Sequence, residues 1–213
     1  MAETIKETIT SKEISSEIEV NADEATKKEI GEFLVEQILS SVQSVESPVS
    51  GGKYKSTLSK EYKKFKEEQG HNPVPNLEFE GDMLDALDFK ITKNGIKVGI
   101  FNNKTEASKA DGHNNFSGKS SLPTRQFLPR EGQKFKADIN KTIEQIVADS
   151  NLEKLDSKTI RDAVSESTSK QGFFDFLRQE TNIDSPTKLR NAILGAPSIV
   201  DIIKKLGRGD WLK

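Results

Sequence analysis

The stretch of sequence that decides the fold is residues 89–100, which read Phe-Lys-Ile-Thr-Lys-Asn-Gly-Ile-Lys-Val-Gly-Ile. Apolar and polar residues alternate on both sides of Asn94-Gly95, and alternation with a period of two is typical of β-strands. Asn-Gly is also the dipeptide that tight hairpin turns prefer. The stretch therefore predicts a β-hairpin whose apolar side chains share one face. These side chains are Phe89, Ile91, Ile96, Val98 and Ile100.

The hairpin is followed by a polar stretch, residues 102–121, and then by Leu-Pro-Thr-Arg-Gln-Phe-Leu-Pro-Arg at residues 122–130. The polar stretch contains hardly any aliphatic residue, so we expect a long loop, and loops of that length are usually functional or disordered. In residues 122–130 each proline biases the residue before it towards extended geometry. We therefore expect a strand that Phe127 anchors to the core, while Arg125 and Arg130 remain available to a partner.

Helical spacing of apolar residues frames the hairpin on both sides. One helix is predicted over residues 21–44, with Asn21 as its N-cap, and a shorter one over residues 58–69. A closing helix is predicted over residues 131–149. Together these elements predict an α+β domain, residues 22–149, in which a small antiparallel sheet packs against the N-terminal helices and the closing helix.

The two ends of the chain differ from this central domain. Residues 1–21 have little apolar bulk, so we expect an N-terminal arm that is either disordered or ordered only against a neighbouring subunit. Residues 150–213 are predicted to be a helical C-terminal extension. Trp211 is either a plug for the core of that extension or an anchor on a partner. The short helices expected in the extension are 157–168, 171–181, 186–194 and 198–206.

Composition limits the functions that the chain can have. With 33% hydrophobic and 31% charged residues, it is polar for a globular protein, which fits exposed arms or a core completed by neighbouring subunits. The net charge of −2 argues against a general nucleic-acid binder, because phosphate binding needs a basic excess. The absence of cysteine excludes thiolate chemistry. We see neither a signal peptide nor an apolar run long enough for a membrane, and therefore expect a protein that is made and assembled in a cytosol.

No catalytic, metal or cofactor site emerges from the residue types. His71 and His113 stand in different predicted loops without a partner at metal-ligand spacing. Residues 118–120, Gly-Lys-Ser, resemble the end of a phosphate-binding loop, but His113 stands where the earlier glycine is required. Glu78 and Glu80 are neighbouring acids, a pattern that is more often solvated than catalytic. The lysines of the second helix indicate either a contact patch or a solvated face. We therefore expect a protein that is not an enzyme and has no cofactor.

An ordered set of short motifs covers residues 50–148. They are Gly52-Lys53-Tyr54, Leu58-Ser59 with Tyr62 and Lys66, Asn76-Leu77 with Gly81 and Met83-Leu84, Val98-Gly99-Ile100, Ala110-Asp111-Gly112-His113, and Leu122-Pro123-Thr124-Arg125-Gln126-Phe127-Leu128. In this order the motifs resemble the tail-completion and head–tail joining proteins of tailed bacteriophages, often called virion morphogenesis proteins. The tyrosine that often precedes the family's loop histidine is absent here, and residues 150–213 have no counterpart.

The resemblance implies a structural virion protein that forms a ring, commonly a hexamer, in the phage neck. Such a ring terminates the tail, joins it to the head, or does both, and is assembled in the cytoplasm of a bacterial host. Its partners would be other copies of the chain, a head-side connector or adaptor, and the tail-tube protein. DNA would pass through the lumen without specific binding, and no membrane would be involved.

The residues that we expect to contact partners are Asn94, His113, Arg125, Phe127 and Arg130. The simpler interpretations are core packing for Phe127 and a solvated charge for Arg125. Two other functions stay open. One is a non-catalytic adaptor that binds a partner through the C-terminal helices. The other is an enzyme of the assembly pathway, which would need a cluster of acids or a nucleophile that the sequence does not display.

Overall fold

The computed structural model describes residues 5–10, 12–54, 58–77, 82–119, 123–181, 183 and 185–213. The chain divides into two compact units, Met1–Asn140 and Lys141–Lys213. The first unit is an α+β fold and the second is helical, which confirms the predicted fold class. The boundary between the units lies before residue 141, and not at residue 150 as predicted.

The first unit is built on a four-stranded antiparallel sheet. Its strands are β1 (Ile5–Ile9), β2 (Ile14–Glu19), β3 (Leu87–Ile91) and β4 (Gly95–Ile100), in the order β1-β2-β4-β3. Ile18 stands opposite Ile5 on one side and Ile96 on the other, and all three are buried. The core of this unit therefore lies on the sheet face that these isoleucines share.

The N-terminal residues do not form the arm that we predicted, since β2 lies between β1 and β4 in the middle of the sheet. The sequence of β2, Ile-Ser-Ser-Glu-Ile-Glu, looks too polar for a central strand. Ser15 and Ser16 are nevertheless completely buried. The Ser16 hydroxyl donates a hydrogen bond of 2.6 Å to the carbonyl of Pro129, so its burial leaves no polar atom unsatisfied.

The hairpin of β3 and β4 is confirmed, but its turn lies one residue earlier than predicted. The backbone N–H of Thr92 donates to the carbonyl of Gly95 at 2.9 Å, and the N–H of Gly95 donates to the Thr92 hydroxyl at 2.9 Å. Thr92 and Gly95 therefore close the hairpin, and Lys93 and Asn94 form the turn. Gly95 is needed for a different reason, because a Cβ atom at this position would lie 1.8 Å from the carbonyl oxygen of Ile18.

Helix α1 (Glu24–Gln43) packs against β3 and β4. Asp23, and not Asn21, caps it by accepting a hydrogen bond of 2.8 Å from the N–H of Thr26. Gly31 makes room for the ring of Phe89, because a Cβ atom on residue 31 would lie only 2.2 Å from that ring. The buried Lys27 ammonium donates to the carbonyls of Thr92 and Lys93 at 3.1 and 3.0 Å. The helix therefore holds both the middle and the turn of the hairpin.

Helix α2 (Lys60–Glu68) confirms the predicted second helix. Its aromatic residues Tyr62 and Phe65 are 42% and 43% exposed. Lys66, from the lysine cluster, is only 2% exposed, and its ammonium donates to the carbonyl of Val74 at 3.0 Å and to Asn76 Oδ1 at 3.1 Å. Buried acceptors are what allow a lysine to occupy such a position. The other three lysines of the cluster are exposed, as a solvated face would be.

After the short helix α3 (Asp82–Asp85), helix α4 (Lys104–Asn114) occupies most of the stretch that we predicted to be a loop. Asn103 caps its start by accepting from the N–H of Glu106 at 3.1 Å, and Asn115 ends it in the left-handed region with φ 56°. Only two small apolar residues, Ala107 and Ala110, are buried on its inner face. Helical periodicity is therefore too faint in this sequence to be recognised.

The remaining helices of the chain follow in order. Helix α5 (Ala137–Glu153) begins later than the predicted residue 131. The four short helices predicted for the C-terminal extension are confirmed, with bounds that differ by a few residues. They are α6 (Ser157–Glu166), α7 (Lys170–Thr181), α8 (Pro186–Gly195) and α9 (Pro197–Lys205).

Trp211 is a plug for the core of the C-terminal unit. It lies in a short 3-10 turn, Gly209–Leu212, and is buried. Its ring centroid is 5.5 Å from that of Phe173, which is completely buried. Of the two interpretations of Trp211, the structure therefore supports core packing. In the part of the chain that is described, no helix is long and apolar enough to cross a membrane.

We expect Gly95→Ala to destabilise the first unit by about 2–3 kcal/mol, because overpacking against the backbone of β2 cannot be relieved by a rotamer change. Urea unfolding followed by far-UV circular dichroism measures the loss. Gly52→Ala is the matched control, since its new methyl group would meet only the Ser50 hydroxyl at 3.8 Å. Equal unfolding midpoints for the two variants would contradict the close approach of β2 and β4.

Candidate functional site

Asn114 fixes residues 123–130 to the end of α4. Its side chain is completely buried. Its Oδ1 atom accepts hydrogen bonds from the N–H groups of Phe127 and Leu128 at 2.7 and 3.1 Å, and its Nδ2 atom donates to the carbonyl of Leu128 at 3.2 Å. A single amide thus satisfies three backbone groups of a segment that pairs with no strand. The strand predicted over this segment is therefore wrong.

Side chains from other parts of the first unit hold the rest of the segment. The carbonyl of Gln126 accepts from the Ser47 hydroxyl at 2.8 Å and from the Tyr54 hydroxyl at 3.4 Å. The N–H of Arg125 donates to the carbonyl of His113 at 2.8 Å. Phe127 is completely buried. Its expected role as an anchor in the core is confirmed, and it offers no surface to a partner in this conformation.

Arg125 is not the free surface charge that we expected. It is only 8% exposed, and its Nε–H group is enclosed without a hydrogen-bond acceptor. Within the described residues it forms no ion pair. Burial lowers the pKa of Arg125, and the neighbouring hydroxyls of Tyr54 and Tyr62 oppose that effect. The guanidinium is therefore a buried cation that pairs with no carboxylate among the described residues.

His113 lies beside this cation in the last turn of α4, and not in a loop. Its Nδ1 atom is enclosed and has no hydrogen-bond partner. Burial, with a smaller contribution from the charge of Arg125, lowers the pKa of His113 to about 4. Burial likewise raises the pKa of Tyr54. His113 and Tyr54 are therefore neutral at pH 7.

Arg130 and Asn94 complete the set of residues predicted to contact partners. The Nη2 atom of Arg130 donates to the carbonyl of Asn114 at 2.7 Å, and its guanidinium carbon lies 5.9 Å from the centre of the Phe116 ring. Arg130 thus belongs to the same cluster as His113 and Arg125. Asn94 lies elsewhere, exposed in the turn between β3 and β4, where its carbonyl accepts from the N–H of Val20 at 3.0 Å.

Sequence reasoning missed the polar residues that organise this cluster, namely Asn114, Ser16, Ser47 and Tyr54. The signal that was available for Asn114 is its place before Asn115, because asparagine is one of the few residues that readily end a helix in the left-handed region. That signal locates the helix end but does not reveal which backbone groups the preceding amide binds.

The structure provides no metal site among the residues that it describes, since no group of three histidine, aspartate or glutamate side chains is close enough to hold an ion. Glu78, Glu80 and Ser120, which we considered in the search for catalytic and phosphate-binding motifs, lie outside the described residues. The cluster around Arg125 offers one cation and several hydrogen-bond donors. Groups of this kind can bind an anion through charge-assisted hydrogen bonds.

Comparison with known proteins gives a partial match. No model of a known protein family matches the chain. An uncharacterized protein of Methanocaldococcus jannaschii is 36% identical over 92 residues, which are 42% of this chain and 65% of the archaeal protein. The match thus spans less than two thirds of that relative. No solved structure matches the chain.

We expect Asn114→Ala to destabilise the first unit by about 3–5 kcal/mol, because it leaves two buried N–H groups and one carbonyl without partners. Chemical denaturation measures the loss. Asn72→Ala removes the same amide from an exposed position and should change the free energy of unfolding by less than about 0.5 kcal/mol. A small effect of Asn114→Ala would mean that the segment is held mainly by its apolar side chains.

We also expect His113 to make stability depend on pH. Its pKa in the folded chain, about 4, lies below the ordinary value of 6.5, so the unfolded chain binds the proton more readily. The neutral His113 imidazole contributes fully to the free energy of unfolding above about pH 6.5, and this contribution is lost as the pH falls towards 4. The loss is about 2 kcal/mol after allowance for partial solvent access. The measurement is the difference in free energy of unfolding between the wild type and His113→Gln across this range. A constant difference would contradict the buried, neutral imidazole.

Proposed function

We propose that the chain is a structural protein of the neck of a tailed bacteriophage, in which copies assemble into a ring that terminates the tail, joins it to the head, or does both. The observation that carries the proposal is the pair of open edges of the sheet. Within the described residues, β1 and β3 each pair with one strand only. Unpaired strand edges are the usual places at which sheets accept another strand.

The number of strands makes these two edges complementary. Because four strands alternate in direction, β1 and β3 run in opposite directions. When β3 of one copy lies beside β1 of a copy in the same orientation, the junction is antiparallel, like the other pairings of the sheet. Such a contact is heterologous, and heterologous contacts close into rings when the rotation between copies allows it.

Apolar side chains at these edges support the same contact. Ile9 on β1 and Ile91 on β3 are 39% and 38% exposed. Through the pairs Ile9–Ile14, Ile14–Ile100 and Leu87–Ile100 they belong to the sheet face that forms the core. Joining the edges of two copies would extend that core from one copy to the next.

The opposite face of the sheet fits a lumen through which DNA passes without being held. Lys6 pairs with Glu19 at 2.7 Å, Lys97 approaches Glu13 at 3.7 Å, and the Thr92 hydroxyl donates to Glu17 at 2.6 Å. Positive and negative groups alternate on this face and neutralise one another. A surface of this kind lacks the basic excess that retains phosphate.

The family motifs also meet in space. Tyr54, His113 and Arg125 come from three separate motifs, and all three contribute to the cluster around residues 123–130. This agreement supports the resemblance to head–tail joining proteins. We propose a hexamer, with a head-side connector or adaptor and the tail-tube protein as further partners, in a virion that is assembled in the cytoplasm of a bacterial host.

The ring is tested by blocking one edge. The N–H of Thr10 donates to the carbonyl of Glu13, so by the alternation of an antiparallel pair the N–H groups of Glu7 and Ile9 point away from β2. Glu7→Pro removes an outward N–H and keeps the hydrogen bonds to β2. We expect sedimentation velocity to show a discrete multimer for the wild type and for Glu7→Ala, and a folded monomer for Glu7→Pro.

A wild-type chain that stays strictly monomeric, alone and when mixed with assembled tails, would contradict the ring. It would favour instead an adaptor that binds through the C-terminal unit, where Leu194 and Leu206 are exposed.

A further inference from the structure

Arg125 is a buried charge without a counter-ion among the residues that the structure describes. The guanidinium forms no ion pair with a described residue, and the neighbouring His113 and Tyr54 are neutral. Its Nε atom is enclosed without an acceptor. A buried charge that lacks a partner is strongly destabilising, whereas a buried pair with good geometry is not. The unpaired guanidinium of Arg125 therefore lowers the stability of the isolated chain. A carboxylate from outside the described residues would remove this destabilisation.

The guanidinium remains accessible to such a carboxylate. The side chain is not fully covered, and of its nitrogens only Nε is both enclosed and without a partner. Two terminal nitrogens side by side are the group that binds a carboxylate through two parallel hydrogen bonds. The two terminal nitrogens of Arg125 thus favour a carboxylate over a single hydrogen-bond acceptor.

The solvent-facing side of α1 offers unpaired carboxylates. Glu29, Glu32 and Glu36 follow one another at helical spacing and are exposed. Glu32 lies 3.7 Å from Lys28, whereas Glu29 and Glu36 form no ion pair with any residue in the described ranges. An unpaired cation and unpaired anions thus occur in the same chain on different elements.

The proposed ring would bring these elements together. Helix α1 packs over β3 and β4, at one edge of the sheet. Pro129, near the end of the segment that carries Arg125, lies over β2, next to the other edge, where the Ser16 hydroxyl donates to its carbonyl. Both elements cover the same face of the sheet, because Ser16 shares that face with Ile14 and Ile18. When β3 of one copy joins β1 of the next, α1 of the first copy and Pro129 of the second come to lie on the same face of the joined sheet.

We propose that Arg125 of each copy donates hydrogen bonds to a carboxylate on α1 of the neighbouring copy, and that Glu29 or Glu36 supplies this carboxylate. This inference rests on the proposed ring and adds to it the polar contact that fixes each subunit to the next. Such a contact selects the heterologous arrangement, since two edges that met about a two-fold axis would not place α1 beside Arg125 of the other copy.

The test combines two measurements on the full chain. Arg125→Met should weaken self-association by roughly thirtyfold or more, as expected when one partner of a buried charge pair is removed. The thermal midpoint of the dissociated variant should equal or exceed that of the dissociated wild type, because the variant lacks an unpaired buried charge. Arg161→Met removes an exposed arginine from α6 and should change neither quantity.

A double-mutant cycle identifies the source of the carboxylate. Glu29→Gln combined with Glu36→Gln should weaken association in the wild-type background and have no further effect in the Arg125→Met background. Arg125→Lys keeps the charge without the paired nitrogens and should show an intermediate loss. It also serves as the test variant if Arg125→Met does not fold.

The outcomes separate this inference from the ring itself. A multimer that persists in both Arg125 variants would overturn the inference and leave the ring intact. A lower thermal midpoint of the dissociated Arg125 variants would also overturn it, because the guanidinium would then have a partner within its own chain. Additive effects of the glutamate and arginine substitutions would exclude α1 as the source of the carboxylate. A wild-type chain that never associates would overturn the ring and this inference with it.

Discussion

The first unit depends on the side-chain amide of Asn114 more than on any other polar group. Residues 123–130 form no strand, and backbone groups of Gln126, Phe127, Leu128 and Pro129 are satisfied by side chains that reach them. Asn114 satisfies Phe127 and Leu128 together, and Ser16 satisfies Pro129. Because those bonds set the path of the segment, they also place Arg125 where no carboxylate of the described chain meets it.

Periodicity made the sheet hairpin and most of the helices predictable. Residues 89–100 alternate clearly, and the helices of the C-terminal unit carry apolar residues at helical spacing, so both were found in the sequence. Helix α4 and strand β2 were missed for one physical reason. Several of their buried positions are occupied by alanine and serine, as at Ala110 and Ser16, and such small side chains weaken the hydrophobic pattern.

The candidate site was predictable only through its apolar residues. Phe127 was expected in the core because it stands between two prolines, and it is there. The environments of Arg125, Lys66 and Asn114 were not predictable, because their burial depends on carbonyl and N–H groups supplied by other segments. A charged residue in a sequence is most often solvated. The residues next to a lysine in the sequence do not show whether its ammonium binds carbonyls or faces water.

The contact between Gly31 and Phe89 has a mechanical consequence for the first unit. The ring fits α1 at a position without a side chain, and one helical turn away in either direction stand Lys27 and Val35, which have no such space. A shift of α1 along the hairpin by one turn would therefore place a side chain against the Phe89 ring, so the position of Gly31 fixes the register between α1 and the hairpin.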